Sequence, residues 1–184
     1  MNKKLKESVN HIMNSIELSF EELNCDSIEE TVSLLTSAEN VFVYGSGRSG
    51  LVGRTFAMRL MQIGIDSFFI GETITPAVEK GDCVFFVSKT GETQTAIQAA
   101  EIVDTRVDAE IIVLTATPES TLAGFADVVI TLEGNESEEN STLAPLGTIF
   151  EDTAMIFLDG LIALLMDELG ETEEDMKIRH PILI

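Results

Sequence analysis

The stretch Val41-Phe42-Val43-Tyr44-Gly45-Ser46-Gly47-Arg48-Ser49-Gly50 constrains the fold more than any other part of the chain. A short, β-rich apolar run of this kind reads as a buried strand. It enters a glycine turn, where the backbone bends sharply and comes close to a ligand. A helical pattern follows at once, so the unpaired N–H groups and positive dipole end of a helix point into the turn. Such a place receives anions, phosphate above all. A near-copy follows: Val84 to Val87 as strand, Ser88-Lys89-Thr90-Gly91-Glu92-Thr93 as turn, and a helix from Gln94.

The remaining elements fill in around these two units. Leu5, Val9, Ile12, Ile16, Phe20 and Leu23 recur at helical spacing and predict an amphipathic helix over residues 3 to 23. His11 within it reads as a surface or packing residue. Asp26 or Ser27 caps a second helix ending near Ser37. Strand one is Val41 to Tyr44. A helix over about Ser49 to Ile63 keeps Val52, Phe56, Leu60 and Ile63 on one side, and Gly64 ends it. Strand two covers about Ser67 to Ile70, and strand three Cys83 to Val87. Ala96, Ala100, Val103 and Val107 form the inner side of the next helix. Strand four is Glu110 to Leu114. Thr117 and Pro118 predict a short helix start, and strand five is Val128 to Leu132. Gly134 to Ser141 reads as an acidic loop. A long helix, about Thr148 to Leu169, is apolar around nearly its whole circumference and must be covered on all sides, with a subunit interface as the cover. A short helix over about Thr172 to Ile178 precedes Arg179 and His180.

Strands alternating with helices predict an α/β fold: a three-layer sandwich with a five-stranded parallel sheet and right-handed crossovers. Ligands in such sheets bind at the carboxyl ends of the strands. Both turns meet there if strands one and three are neighbours, as in the flavodoxin-like order. The expected organisation is one domain: a helical segment over 1–37, the α/β core over 38–169, and a C-terminal helix and tail over 170–184.

Composition narrows the function. The chain has 184 residues and 45% apolar content, which supports a full-sized core and argues against disorder. Its two cysteines, Cys25 and Cys83, read as small hydrophobes rather than a disulfide framework. The basic start lacks an apolar signal core, and the longest apolar run, Thr153 to Met166, is interrupted by Asp159 and too short to span a bilayer. A cytoplasmic protein without a membrane partner is expected. With 32 acidic against 11 basic residues the net charge is −21, which argues against nucleic acid as a partner. A local site can still bind a small anion. The acids gather near Glu133 to Glu139 and Glu168 to Asp175. They form a solvated face or mark adaptation to a salty cytoplasm, where salt screens self-repulsion.

Gly45 to Gly50 also matches the dinucleotide fingerprint G-x-G-x-x-G, and Glu72 after strand two stands where that fold wants an acid for the ribose. Two features oppose a nicotinamide enzyme. Arg48 and Ser49 put a cation and a hydroxyl where the fingerprint has small apolar residues. The second turn has no role in a dinucleotide site. Its hydroxyls, Gly91, Lys89 and a helix N-terminus suit a phosphate monoester.

The chain resembles the sugar isomerase (SIS) domain family, and within it the 6-phospho-3-hexuloisomerases, over practically its full length. The residues that carry this are Tyr44 to Gly50, Phe56 to Leu60, Gly71-Glu72-Thr73, Ser88 to Thr93, Leu143 to Thr148 with Phe150-Glu151, and Arg179-His180. The resemblance implies a tetramer without metal or organic cofactor. It also implies interconversion of 3-hexulose 6-phosphate and fructose 6-phosphate, a step of the ribulose monophosphate pathway. Thr90 departs from the serine common in the family's phosphate loop but keeps the hydroxyl. The arabinose 5-phosphate isomerases and non-catalytic phosphosugar sensors are the alternatives.

Moving a carbonyl to the adjacent carbon through an enediol needs a base and a group that steadies the oxyanion. Glu151 is the candidate base by chemistry and by resemblance, and Asp152, about 100° away on the helix, is its control. Arg48 is the candidate oxyanion partner. By resemblance His180 enters the site to assist ring opening. The candidate substrate-binding residues are Gly47 and Ser49 in the first turn and Ser88, Thr90, Gly91 and Thr93 in the second.

Overall fold

The computed structural model describes residues 2–21, 23–132 and 137–181. The chain order is α1 (Lys3–Ser19), α2 (Cys25–Ser37), β1 (Val41–Gly45), α3 (Gly47–Gln62), β2 (Ser67–Phe69), β3 (Cys83–Val87), α4 (Gln94–Ile102), β4 (Glu110–Thr115), β5 (Val128–Thr131), α5 (Asn140–Leu143), α6 (Thr148–Leu169) and α7 (Glu173–Arg179). All five strands are parallel, in the order β2-β1-β3-β4-β5. This is the flavodoxin-like order expected from the sequence. Its switch point lies between β1 and β3, where Gly45 stands in register with Val87.

Alternation along the strands makes two cores, one on each face of the sheet. Val41, Val43, Phe85, Val87, Ile112 and Leu114 pack with Phe56 and Leu60 of α3 and with Phe150, Ala154 and Leu158 of α6. Phe42, Val84, Phe86, Ile111 and Val113 face the other way, against Ala96 and Ala100 of α4 and Leu122. Strand β3 is buried along its whole length because it is central and covered on both faces.

Several expectations change at the edges. The first helix ends at Ser19 rather than residue 23, and Leu5 and Val9 of its apolar stripe face solvent while Ile16 is buried. Asn24, not Asp26 or Ser27, caps α2, its side chain accepting from Asp26 N at 2.9 Å. No α-helix starts at Thr117. That segment turns and forms one 3-10 turn, Ala123–Phe125, before β5 begins at Val128. Beyond Ile102, α4 continues as a wide π turn, Val103–Val107, closed by Asp108 in a left-handed conformation. The predicted loop over Gly134 to Ser141 gives way at Asn140 to the short helix α5. Residues 133–136 of that loop and of the acidic cluster, and residues 182–184 of the tail, lie outside the described residues. Among the described residues no helix is long and apolar enough to cross a membrane.

Candidate active site

The first turn is built by glycines in contact. A Cβ on Gly50 would stand 2.5 Å from the Gly45 carbonyl oxygen, and one on Gly45 would stand 2.8 Å from the Ser49 backbone. Helix α3 therefore starts hard against the end of β1. Gly47 opens it at φ +56, a left-handed conformation that favours glycine. Ser46 caps α3 without a side-chain hydrogen bond to it.

The second turn closes on itself. Ser88 Oγ accepts from Gly91 N at 3.2 Å and lies 3.4 Å from Thr93 Oγ1. Thr90 Oγ1 accepts from Glu92 N at 3.3 Å. Gly91 is left-handed at φ +62, and Ser120 fills the space its Cβ would need. Thr93 caps α4 through its carbonyl, which accepts from Ala96 N and Ile97 N, while its hydroxyl makes no capping bond. The hydroxyls of Ser88 and Thr93 thus lie together at the start of α4, an arrangement suited to an anion.

The segment after β4 holds this turn from behind. The Lys89 carbonyl accepts from Ala116 N at 3.0 Å and Thr115 Oγ1 at 3.1 Å. The Glu92 carboxylate accepts from Thr121 N at 2.8 Å and Thr121 Oγ1 at 2.9 Å. Glu92 therefore faces this support. Across the switch point, the Tyr44 hydroxyl donates to Thr95 Oγ1 at 2.8 Å, tying β1 to the first turn of α4.

Helix α6 brings the carboxylate. Leu146 and Gly147 take left-handed conformations, at φ +53 and φ +79, and the chain turns into α6 there. One turn in, Glu151 is only 7% exposed. Ser49 Oγ donates to its Oε1 at 3.0 Å, while Oε2 is buried without a hydrogen-bond partner. A Cβ on Gly147 would stand 2.8 Å from that oxygen, so glycine keeps the approach open. Burial pushes the Glu151 carboxyl above the usual range, opposed by the Ser49 hydrogen bond, then by Arg48, its own backbone N–H and Lys89.

Arg48 stands beside this carboxylate, its Nε 3.6 Å from Glu151 Oε2, and its Nη2 donates to Asp152 Oδ1 at 2.5 Å. Asp152 is therefore not the uninvolved control expected from its position on the helix. The reach of the Arg48 side chain spans both adjacent carboxylates, and an arginine opposite two acids in one helical turn is the signal in the sequence. Glu72, the candidate ribose acid, forms an ion pair with Arg54, which also lies over the Phe69 ring at 4.0 Å.

Glu151, Arg48 and Ser49 thus come together after β1, where Gly47 opens α3, and Ser88, Thr90, Gly91 and Thr93 gather after the neighbouring strand β3. His180 does not join them within the protomer. It follows α7, whose Arg179 donates to the Gln62 carbonyl at the far end of α3. That end lies ~20 Å along the helix from Ser49.

Comparison with known proteins shows the family and the fold. The SIS domain family model matches residues 34–158. The 3-hexulose-6-phosphate isomerase of Methanocaldococcus jannaschii is 37% identical over 155 residues, covering 84% of this chain and 83% of that protein. The enzyme of the same name from Bacillus subtilis is 32% identical over 181 residues, covering 96% and 97%. Among solved structures, a Methanococcus jannaschii protein whose crystal structure infers a 3-hexulose-6-phosphate isomerase function superposes with a TM-score of 0.86. It is 34% identical, with 97% of this chain and 99% of that one covered.

Proposed function

The chain belongs to the SIS domain family, and we propose that it interconverts 3-hexulose 6-phosphate and fructose 6-phosphate in the ribulose monophosphate pathway. The observation that carries the reading is the buried Oε2 of Glu151, which has the Arg48 guanidinium nearby but no hydrogen bond, next to a hydroxyl-rich turn suited to phosphate. The relatives named for this reaction support the choice of substrate.

The phosphate binds Ser88, Thr90, Gly91 and Thr93 at the start of α4. Gly47 leaves the backbone of the first turn open to the sugar, and Ser49 orients the base. Glu151 Oε2 takes the proton from the carbon beside the carbonyl. The electron pair left behind forms an enediolate, whose oxyanion Arg48 steadies. The hydroxyl proton passes from one enediolate oxygen to the other, and Glu151 returns its proton to the former carbonyl carbon, so the carbonyl has moved by one position. The raised carboxyl brings the base nearer to working pH. The step requires no metal or redox group.

His180 lies beyond reach of Glu151 in its own protomer, so its proposed part in ring opening is played in a neighbouring subunit. A homotetramer fits two further features of the protomer. Ile156 and Leu164 of α6 are each 50% exposed. They border an apolar groove of about 340 Å³ with Phe20, Leu23 and Gly160. We place the protein in the cytoplasm, acting on a small sugar phosphate and not on nucleic acid.

A substrate panel tests the reading. Turnover of 3-hexulose 6-phosphate should exceed that of arabinose 5-phosphate by at least an order of magnitude. The reverse order would make the chain an arabinose 5-phosphate isomerase, and binding without turnover would make it a sensor.

A further inference from the structure

Glu151 and Asp152 stand side by side in the first turn of α6, and one guanidinium serves both. Arg48 carries five N–H donors in a planar fork and pairs best with a carboxylate bidentately. It donates to Asp152 Oδ1 at 2.5 Å, whereas its Nε is 3.6 Å from Glu151 Oε2, beyond hydrogen-bond distance. The buried oxygen consequently has a cation nearby and no hydrogen bond.

We propose that Asp152 is a positioning residue that draws the Arg48 guanidinium away from Glu151 Oε2 and so keeps that oxygen available as the base. The proposal rests on the isomerase reading for its catalytic meaning but not for its physical content. Without Asp152, the nearest carboxylate to Arg48 is Glu151. A direct pair there would occupy the lone pairs that must take the substrate proton. It would also favour the ionised form and weaken the base. With Asp152 present, Arg48 keeps its charge close to the reacting atoms while half of its fork is engaged elsewhere. No other arginine of α3 replaces it, because Arg54 is paired with Glu72 and Arg59 with Asp159.

The charged groups facing Glu151 are Arg48 from α3, Lys89 from the β3–α4 turn, and Asp152 beside it on α6. Lys89 is common to the wild type and every variant below, so differences among them report on the Arg48–Asp152 pair.

The test is direct titration of the Glu151 carboxyl by carbon-13 NMR in the substrate-free protein, its resonance assigned by disappearance in Glu151→Gln. Asp152→Ala should lower the Glu151 pKa by about one unit or more, and Asp152→Glu should restore it toward the wild-type value. In an Arg48→Gln background, Asp152→Ala should shift it by less than half as much. An unchanged titration in Asp152→Ala overturns the proposal, and so does an equal shift without Arg48, which would be a simple charge effect. Asp152 is partly exposed, and Asp152→Ser provides a second variant should alanine compromise folding. Where isomerase turnover is measurable, the acid limb of kcat should move to lower pH by the same amount and kcat should fall. A purely structural role would lower the Tm and leave both titrations in place. Failure of the wild type to turn over hexulose phosphate would remove the isomerase reading and leave the titration result standing.

Discussion

Ser49 Oγ donates to Glu151 Oε1 at 3.0 Å, joining residues 102 apart in the chain. The bond fixes the carboxylate so that its other oxygen stays buried and without a hydrogen bond. A buried carboxylate oxygen left without a hydrogen bond costs stability, and its retention here fits a group kept for chemistry.

That cost should be measurable. Burial raises the folded-state carboxyl of Glu151, so the folded protein holds this proton more tightly than the unfolded chain. Ionisation therefore destabilises the fold at neutral pH, and the penalty vanishes as pH falls through the raised value to the ordinary glutamate range. Glu151→Gln keeps the acceptor for Ser49 and should be more stable at neutral pH by about 1 kcal/mol. Thermal unfolding at pH 7.5 and pH 4 checks this: the gain in Tm should shrink at the lower pH, and a gain that grows there would reverse the assigned shift.

Gly147→Ala attacks the same carboxylate from the other side. The added methyl would stand 2.8 Å from Glu151 Oε2, on a backbone at φ +79. We expect a loss of about 1–3 kcal/mol in stability, and a kcat reduced at least tenfold because the base is displaced. Normal kcat in a folded variant would mean that Oε2 does not approach the substrate from this side.

The phosphate turn should separate binding from chemistry. Ser88→Ala and Thr93→Val each remove a hydroxyl from the turn at the start of α4. Each should raise KM for the sugar phosphate about tenfold, equivalent to about 1.4 kcal/mol, and change kcat much less. Steady-state kinetics giving the opposite split would move these residues out of the phosphate site.

The acidic surface makes a prediction about salt. At a net charge of −21 the folded state repels itself, and counter-ions screen that repulsion. If the acids mark a salty cytoplasm, Tm should rise steadily from low to molar KCl. A Tm independent of salt would remove this reading and leave an ordinary solvated surface.

The central strands were legible in the sequence because their burial is unambiguous, whereas the half-buried outer strands β2 and β5 each end one residue short of the expected bound. Cys83 to Val87 and Thr148 to Leu169 have the predicted bounds, the first as a central strand and the second as an apolar helix bounded by Gly147 and Gly170. The two turns were legible for the same reason that they work, since few residues besides glycine fit there. The edges were not. Leu5 and Val9 share a helical stripe with Ile16, yet periodicity cannot say how much of a stripe finds a neighbour within the protomer. The pairing of Arg48 with Asp152 depends on how α6 packs against α3, which spacing along one helix does not encode. Ser120 behind Gly91 was hidden because Thr117 to Ser120 looks like a helix start and folds as a turn. The remoteness of His180 follows from the packing of α7 on the far end of α3.

The most direct test of the central claim is formation of fructose 6-phosphate from 3-hexulose 6-phosphate by the wild type and by Glu151→Gln, assayed side by side in high salt. The account predicts turnover by the wild type and a fall of about 10²–10⁴-fold in kcat for the variant, with its fold intact by circular dichroism. Equal activity of the two proteins would contradict the assignment of Glu151 as the base.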